Sequence, residues 1–507
     1  MLVKFFASLQ KFASVLPWWG IAVWCGIGCG LGFIWPAFSM VSILMIAVSL
    51  WYVDRNGTSD HIVATVFWIF FMKSLVALSW LTNVYPVLLM EQVPPLIQIV
   101  ALFLYTLTAA LWLGLGGIVF GMVVKMVHRR MYTVRTRYLI YVLLWLGAEL
   151  VGSGVFALMT AAPGVVPLPD FSFGYVGYLF AQLPGMLSLA RFGGVEVIAL
   201  VGLLMTAATC VAWVQREKVA LLVVVVGIVG VGISHLTWRP QSIRPATVAI
   251  MDTHFLSVFK NAAYDELIKN NLETAVSSTL TTKPNLLVLP EDFAYLDRVY
   301  HADEVGIASA VEAFRLLEHD PQTLIVDSAR TKLTDTTVVS RSTVFGGGTS
   351  TVYQQDKKYL VPQGEYMPWL YRLGLRVVGY GSTVDSLLSY MNYVVGTTSL
   401  DTVAPAEVPS VLFCFESVSP YQVLRLAAAR PQSYIVHPVS HGWFHTPTVL
   451  WQQLDTMLRI EAVAAGVPII RAGNLAEGKV YMPDGTIKVG TSTYKSTLVS
   501  VQQVTLP

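Results

Sequence analysis

The chain contains four cysteines, Cys25, Cys29, Cys210 and Cys414. The first three sit in long apolar segments, and only Cys414, in VLFCFESVSP (411–420), lies in the polar second half. An unpaired thiol at the end of an apolar run has two readings. It is a core cysteine closing a strand, or it is a nucleophile held out of a sheet where a strand passes through a turn into a helix. In that second setting nearby backbone N–H groups can also stabilise an oxyanion. A thiol titrates near pKa ~8.5 and reacts quickly only beside a base or a positive charge. Histidine is the usual base, yet His254, His301, His319, His437, His441 and His445 stand in no recognisable Cys–His context and read as surface or core residues. The H-x3-H spacings at 437/441 and 441/445 fall on a strand and a loop rather than a helix, so neither a metal nor another cofactor is expected.

Two further segments carry chemistry. In LLVLPEDFAYL (286–296) an apolar strand runs straight into Glu291, a carboxylate either solvated at a sheet edge or held in a site. QQDKKYLVPQGEYMPW (354–369) packs Lys357, Lys358, a rigid Leu-Val-Pro and Glu365 into a short span that by itself reads as a charged loop. FGGGTSTVY (345–353) has the composition of a glycine hairpin turn, and without a following Lys-Ser/Thr pair or helix it is not a phosphate loop.

These residues need elements to place them. β-branched runs at 247–252, 285–290, 323–328, 336–345, 410–414, 433–438 and 467–473 have strand length. Helical patterns at 309–319, 421–429 and 450–465 lie between several of them, which predicts a layered α/β domain over 241–507.

The first 240 residues differ in kind. The whole chain is 55% hydrophobic and only 13% charged, and up to about position 238 the apolar residues form long uncharged runs. A transmembrane helix needs roughly 20 such residues. Candidate spans are 16–35, 37–53, 61–82, 95–122, 138–160, 193–214 and 219–236, a domain of seven helices over 1–240. Positive residues concentrate in alternate loops: Lys4 and Lys11, Arg55, the cluster Lys125, Arg129, Arg130, Arg135 and Arg137, then Arg216 and Lys218, with only Arg191 in the long segment 161–192. Such loops stay cytoplasmic. The expected localisation is therefore a multi-pass cell membrane protein with a cytoplasmic N-terminus and an α/β domain outside the cytoplasm. A formal net charge of +2 and the absence of a basic, aromatic-rich stripe argue against nucleic-acid binding. A transporter or receptor is disfavoured because the spans show no paired buried charges of an ion path. Glu91 falls in an outer loop, and Glu149 and Glu196 are the intramembrane carboxylates to follow.

Taken together, PE after a strand, K-x-x-L-V-P-x-G-E-Y-x-P, and C-x-E after another strand resemble apolipoprotein N-acyltransferase, the membrane-bound branch of the nitrilase (carbon-nitrogen hydrolase) superfamily. HGWF (441–444), LSWLTNVYP (78–86) and PGMLSLARFGGVEVIAL (184–200) extend the resemblance over nearly the whole chain. It implies an α-β-β-α sandwich with Cys414 as nucleophile, Glu291 as general base, and Lys357 with the Phe415 N–H as oxyanion holder. Glu365 and Glu416 would orient the lysine and line the site, with Trp443 in the neighbouring turn. The implied reaction moves an acyl chain from a phospholipid, through a thioester, to the α-amino group of a diacylglyceryl-cysteine on a lipoprotein. A monomer in the bilayer is expected. The alternative is a membrane-tethered amidase, or an acyltransferase for another amine.

The sequence also departs from the family pattern. Gln363 stands where the family has Phe, Ser440-His441 replaces Asn-Asp, and Glu461 takes an Arg position while Arg459 is kept. The family's further C-terminal membrane helix is not matched before Pro507.

Overall fold

The computed structural model describes residues 17–87, 94–238, 244–255, 262–319, 321–377, 379–400, 404–431, 434–445 and 448–507. Lys4, Lys11 and Glu91 lie outside the described residues. The chain forms two compact units. One comprises Met1–Leu158, Pro169–Trp238 and Pro447–Ile460; the other comprises Met159–Leu168, Arg239–Thr446 and Glu461–Pro507.

The first unit is helical: α1 (Trp18–Ile34), α2 (Ser39–Arg55), α3 (Ile62–Ala77), α4 (Pro95–Gly114), α5 (Gly116–Arg129), α6 (Val134–Met159), α7 (Gly194–Gln215) and α8 (Lys218–Thr237). Among the described residues six helical spans are long and apolar enough to cross a membrane, α4 and α5 forming one of them. With the shorter apolar α1 they correspond to the seven expected spans. The α4–α5 junction is built on close backbone approach. A Cβ added at Gly116 would stand 1.9 Å from the Ala148 carbonyl oxygen, and one at Gly152 would stand 2.3 Å from that of Leu113. Only glycine lets α6 pack this tightly.

The expectation that the spans hold no paired buried charges is overturned. Lys73 on α3 and Glu149 on α6 form an ion pair, with both side chains at most 4% exposed. The same ammonium donates to the Gly174 carbonyl at 2.9 Å and sits over the rings of Phe70 and Trp145. The Glu149 carboxylate also accepts from Trp145 Nε1 and the Val176 N–H, each at 3.2 Å. The pair thus holds the stretch 171–180, where Phe171, Phe173, Tyr175, Val176, Tyr178, Leu179 and Phe180 are all buried, against α3 and α6. A separation of 76 residues hides such a pair from sequence patterns. Removing one partner of a buried pair strands the other charge and typically costs about 3–5 kcal/mol. Glu149→Gln is therefore expected to lower the thermal midpoint in detergent sharply, and the Lys73→Met/Glu149→Gln double variant to recover most of the loss.

The second unit is an α/β sandwich. β11 (Thr491–Lys495), β12 (Val499–Leu506), β1 (Ala246–Thr253), β2 (Leu286–Val288), β3 (Leu324–Lys332), β4 (Val338–Gly346) and β5 (Thr349–Asp356) pair in that order. β6 (Ser410–Val411), β7 (Ile435–Ser440), β8 (Ile469–Asn474), β9 (Lys479–Tyr481) and β10 (Ile487–Lys488) form a second run, joined to the first by the single pair Thr253–Asn474. Strand alternation divides the core. Val248, Ile250, Leu286, Val288 and Val326 cluster with Val411, Phe413, Val436 and Ile470 between the two runs. Ala249, Met251, Leu287, Leu289 and Ile325 instead face Ile268, Leu272 and Val276 of α9 (Ala262–Thr281) and Val311 and Phe314 of α10 (Ile307–Leu317). This is the expected α-β-β-α arrangement. The glycine turn lies where expected, with Gly346 at the end of β4 and Gly347 and Gly348 before β5 all at positive φ. The two-residue β6 is shorter than the strand expected over 410–414, because the chain enters a 3-10 turn at Cys414.

Candidate active site

β2, β5 and β6 deliver three side chains to one place. Glu291 follows β2, Lys357 follows β5, and Cys414 opens the 3-10 turn Cys414–Val418 after β6. Lys357 Nζ donates to Glu291 Oε1 at 2.9 Å and to Glu365 Oε1 at 2.7 Å, and the lysine side chain is 1% exposed. Glu365 reaches it because VPQGEY folds into a tight turn. The Val361 N–H donates to Glu365 Oε2 at 2.8 Å, and Gln363 takes a left-handed φ of 63°. Its neighbour Lys358 turns the other way, with its ammonium over the Tyr359 ring. Cys414 keeps part of its surface open, while Cys25, Cys29 and Cys210 are buried. Its Sγ points toward the Ser440 carbonyl at the end of β7, 3.9 Å away.

The electrostatics follow from burial. Desolvation pushes the Glu291 carboxyl up to about 7, against the lowering pull of Lys357, with Asp292 and Glu365 adding to the rise. Burial also raises the Cys414 thiol well above its ordinary value, Glu291 adds to this, and Lys357 opposes it. Burial alone would lower Lys357, but the Glu291 and Glu365 carboxylates outweigh it and hold the ammonium charged. The resting arrangement is a neutral thiol, a fixed cation, and a carboxyl that changes charge near neutrality. A carboxylate with such a pKa is matched to proton transfer at physiological pH.

Glu416 does not touch the lysine ammonium. It is fully buried and accepts from the N–H groups of Phe413 at 3.0 Å, Lys358 at 2.7 Å and Tyr359 at 3.2 Å. Its carboxylate ties the backbone before Cys414 to the backbone after Lys357. The buried Gln355 does similar work without any sequence signal for it: its amide exchanges hydrogen bonds with the Val411 N–H and C=O. Gln355 stands on β5 two residues before Lys357. Asn474 was also hidden. Its side chain accepts from Thr253 Oγ1 at 3.1 Å and donates to Ser440 Oγ at 3.3 Å, linking β1 and β8 to the residue facing Cys414. Phe415 is half-buried, next to Cys414 in the 3-10 turn. Trp443 lies half-buried on the turn Gly442–Phe444, and among the described residues no hydrogen bond or ring contact joins it to Cys414, Lys357 or Glu291. His437 and His441 are buried, no histidine side chain hydrogen-bonds to Cys414, and no metal-ligating cluster occurs among the described residues.

No family model matches the chain. It is 28% identical over 132 residues to an apolipoprotein N-acyltransferase of Rhodopseudomonas palustris, a match covering 26% of this chain and 23% of that protein. The chain thus spans under a quarter of the curated relative's length, and the match agrees with the resemblance read from the motifs. Among solved structures it is similar to a cysteine-to-alanine mutant of a Nesterenkonia amidase from the nitrilase superfamily, with a TM-score of 0.35 and 14% identity over 53% of this chain and 93% of that one. A second structure of an amidase from Nesterenkonia sp. has a TM-score of 0.35 and 15% identity over 53% and 92% of the two chains.

Because Glu416 answers three backbone N–H groups, two of them buried, truncating it leaves buried donors unsatisfied at about 1–3 kcal/mol each before relaxation. Glu416→Ala is expected to lower the thermal midpoint and to slow alkylation of Cys414 in the surviving folded protein, while Glu416→Gln, which keeps an acceptor oxygen, loses less on both measures.

Proposed function

We propose that the chain is a phospholipid-dependent N-acyltransferase working through a thioester on Cys414. The observation that carries this reading is the buried Lys357 ammonium held by Glu291 and Glu365 beside Cys414, a residue that keeps part of its surface exposed. Glu291 takes the Cys414 proton, and the thiolate attacks the carbonyl carbon of a phospholipid acyl ester. The tetrahedral oxyanion forms against Lys357 and the Phe415 N–H. The ester C–O bond breaks, the lysophospholipid leaves with the proton from Glu291, and the acyl group stays on sulfur. In the second half Glu291 takes a proton from the incoming amine as its nitrogen attacks the thioester. The C–S bond then breaks, Glu291 returns the proton to sulfur, and an amide and the free Cys414 thiol result. The amine is the α-amino group of a diacylglyceryl-cysteine at a lipoprotein N-terminus. The apolar helical unit supports a lipid donor, and the positive residues on alternate loops support a cytoplasmic N-terminus with the α/β unit outside.

Incubating the full chain in phosphatidylethanolamine vesicles and weighing the intact protein tests this. The expected result is a mass gain of one acyl chain, lost on hydroxylamine treatment and absent in Cys414→Ala. An unmodified wild-type protein that releases ammonia from simple amides would turn the reading toward an amidase. Because Glu291 must be ionised to accept the thiol proton, the rate of adduct formation is expected to rise with pH, with a midpoint of about 7.

A further inference from the structure

The turn that carries Glu291 is held in an unusual way. Asp292 and Ala294 both lie in the left-handed region, with φ of 58° and 52°, where residues other than glycine are strained. β3 staples this turn along its length. Ser328 Oγ donates to the Pro290 carbonyl at 3.1 Å, the Ala294 N–H donates to the Ser328 carbonyl at 2.9 Å, and the Leu296 N–H donates to Asp327 Oδ2 at 3.0 Å. The last staple is Arg330, whose Nε and Nη2 donate to Asp292 Oδ2 at 3.0 and 2.9 Å. The guanidinium lies 5.4 Å from the centre of the Tyr393 ring, and the Tyr393 N–H donates to the Glu365 carbonyl at 3.3 Å. The chain of contacts therefore closes on itself: Glu291, Asp292, Arg330, Tyr393, Glu365, Lys357 and back to Glu291.

Arg330 is exposed by more than a third but Asp292 by only 15%, so the pair pins the turn at the edge of the buried site. Its placement one residue from Glu291 gives it another use. We infer that Arg330 and Asp292 form a positioning clamp that fixes the Glu291 carboxyl and sets the pH at which it can act. This rests on Glu291 being the base of the proposed reaction. Glu291 is faced by Lys357 and Glu365 from the segment after β5, by Cys414 after β6, and by Asp292 from its own turn. Lys357, Glu365 and Cys414 are common to any nucleophile–base–cation site, whereas the Asp292 charge acts to raise Glu291 and Arg330 offsets that charge.

The signs give a test that a merely structural role would not pass. Acylation of Cys414 by phosphatidylethanolamine vesicles is followed by intact mass across pH 5–9 in the full chain, where that range is about two units either side of the expected midpoint. Arg330→Met leaves the Asp292 carboxylate uncompensated, so the midpoint is expected to rise by roughly one pH unit. Asp292→Asn removes the negative charge and leaves the cation, so the midpoint is expected to fall, and Asn tolerates the left-handed turn. The double variant should return close to wild type. Should Arg330→Met fail to accumulate, Asp292→Asn and the double variant still decide, since the first must lower the midpoint and the second raise it again. Any other pattern overturns the clamp. Glu291→Gln separates the two ideas: if it is inactive, unmoved midpoints sink the clamp alone, and if it acylates like wild type the base assignment fails and takes the clamp with it.

Discussion

A lysine ammonium stripped of water is tolerated only where opposite charge replaces the lost hydration. Lys357 meets that condition through Glu291 and Glu365, and much of the α/β unit serves to keep the three together. Glu291 hangs from the end of β2, Lys357 from the end of β5, and Glu365 from a turn tied to Val361. Each would be a poor guest in a protein interior without the others. The cation that satisfies the carboxylates also acts on Cys414, where it opposes the rise of the buried thiol.

Holding the cysteine near that cation requires β5 and β6 to be in register, although they belong to different strand runs. Gln355 and Glu416 supply the link with backbone hydrogen bonds rather than further charge pairs. Asn474 adds a third tie, from β1 and β8 to the residue whose carbonyl faces the sulfur. These groups are polar, buried and matched in geometry, so the segments carrying Glu291, Lys357 and Cys414 are held by their surroundings as well as by the Lys357 ion pairs. The helical unit uses the same device at Lys73 and Glu149, to hold the buried 171–180 stretch.

Much of this was legible in the residues. Long uncharged runs located the membrane helices, and β-branched runs located most of the central strands, because both signals are local and periodic. The late strands β9–β12 and helices such as α9 escaped, since their patterns are short or mixed with polar residues. The partners of Lys73 escaped for a different reason: a lone lysine in an apolar span reads as an interruption until the helix carrying Glu149 is packed beside it. Gln363 serves as a left-handed turn residue, and Ser440 presents its carbonyl to Cys414 and its Oγ to Asn474, while neither hydrogen-bonds to the Lys357 ammonium.

The sequence by itself determined the division into an apolar helical half and an α/β half, and the residue types available for chemistry. Periodicity, charge and motif spacing are properties of neighbouring positions. Tertiary structure alone decided that Glu291 and Lys357, 66 residues apart, share a hydrogen bond, and that Glu416 binds backbone rather than the lysine. It also decided that Arg330 sits on Asp292. Those facts depend on strand order and on which face of each strand is buried, and neither is encoded within any short stretch of the chain.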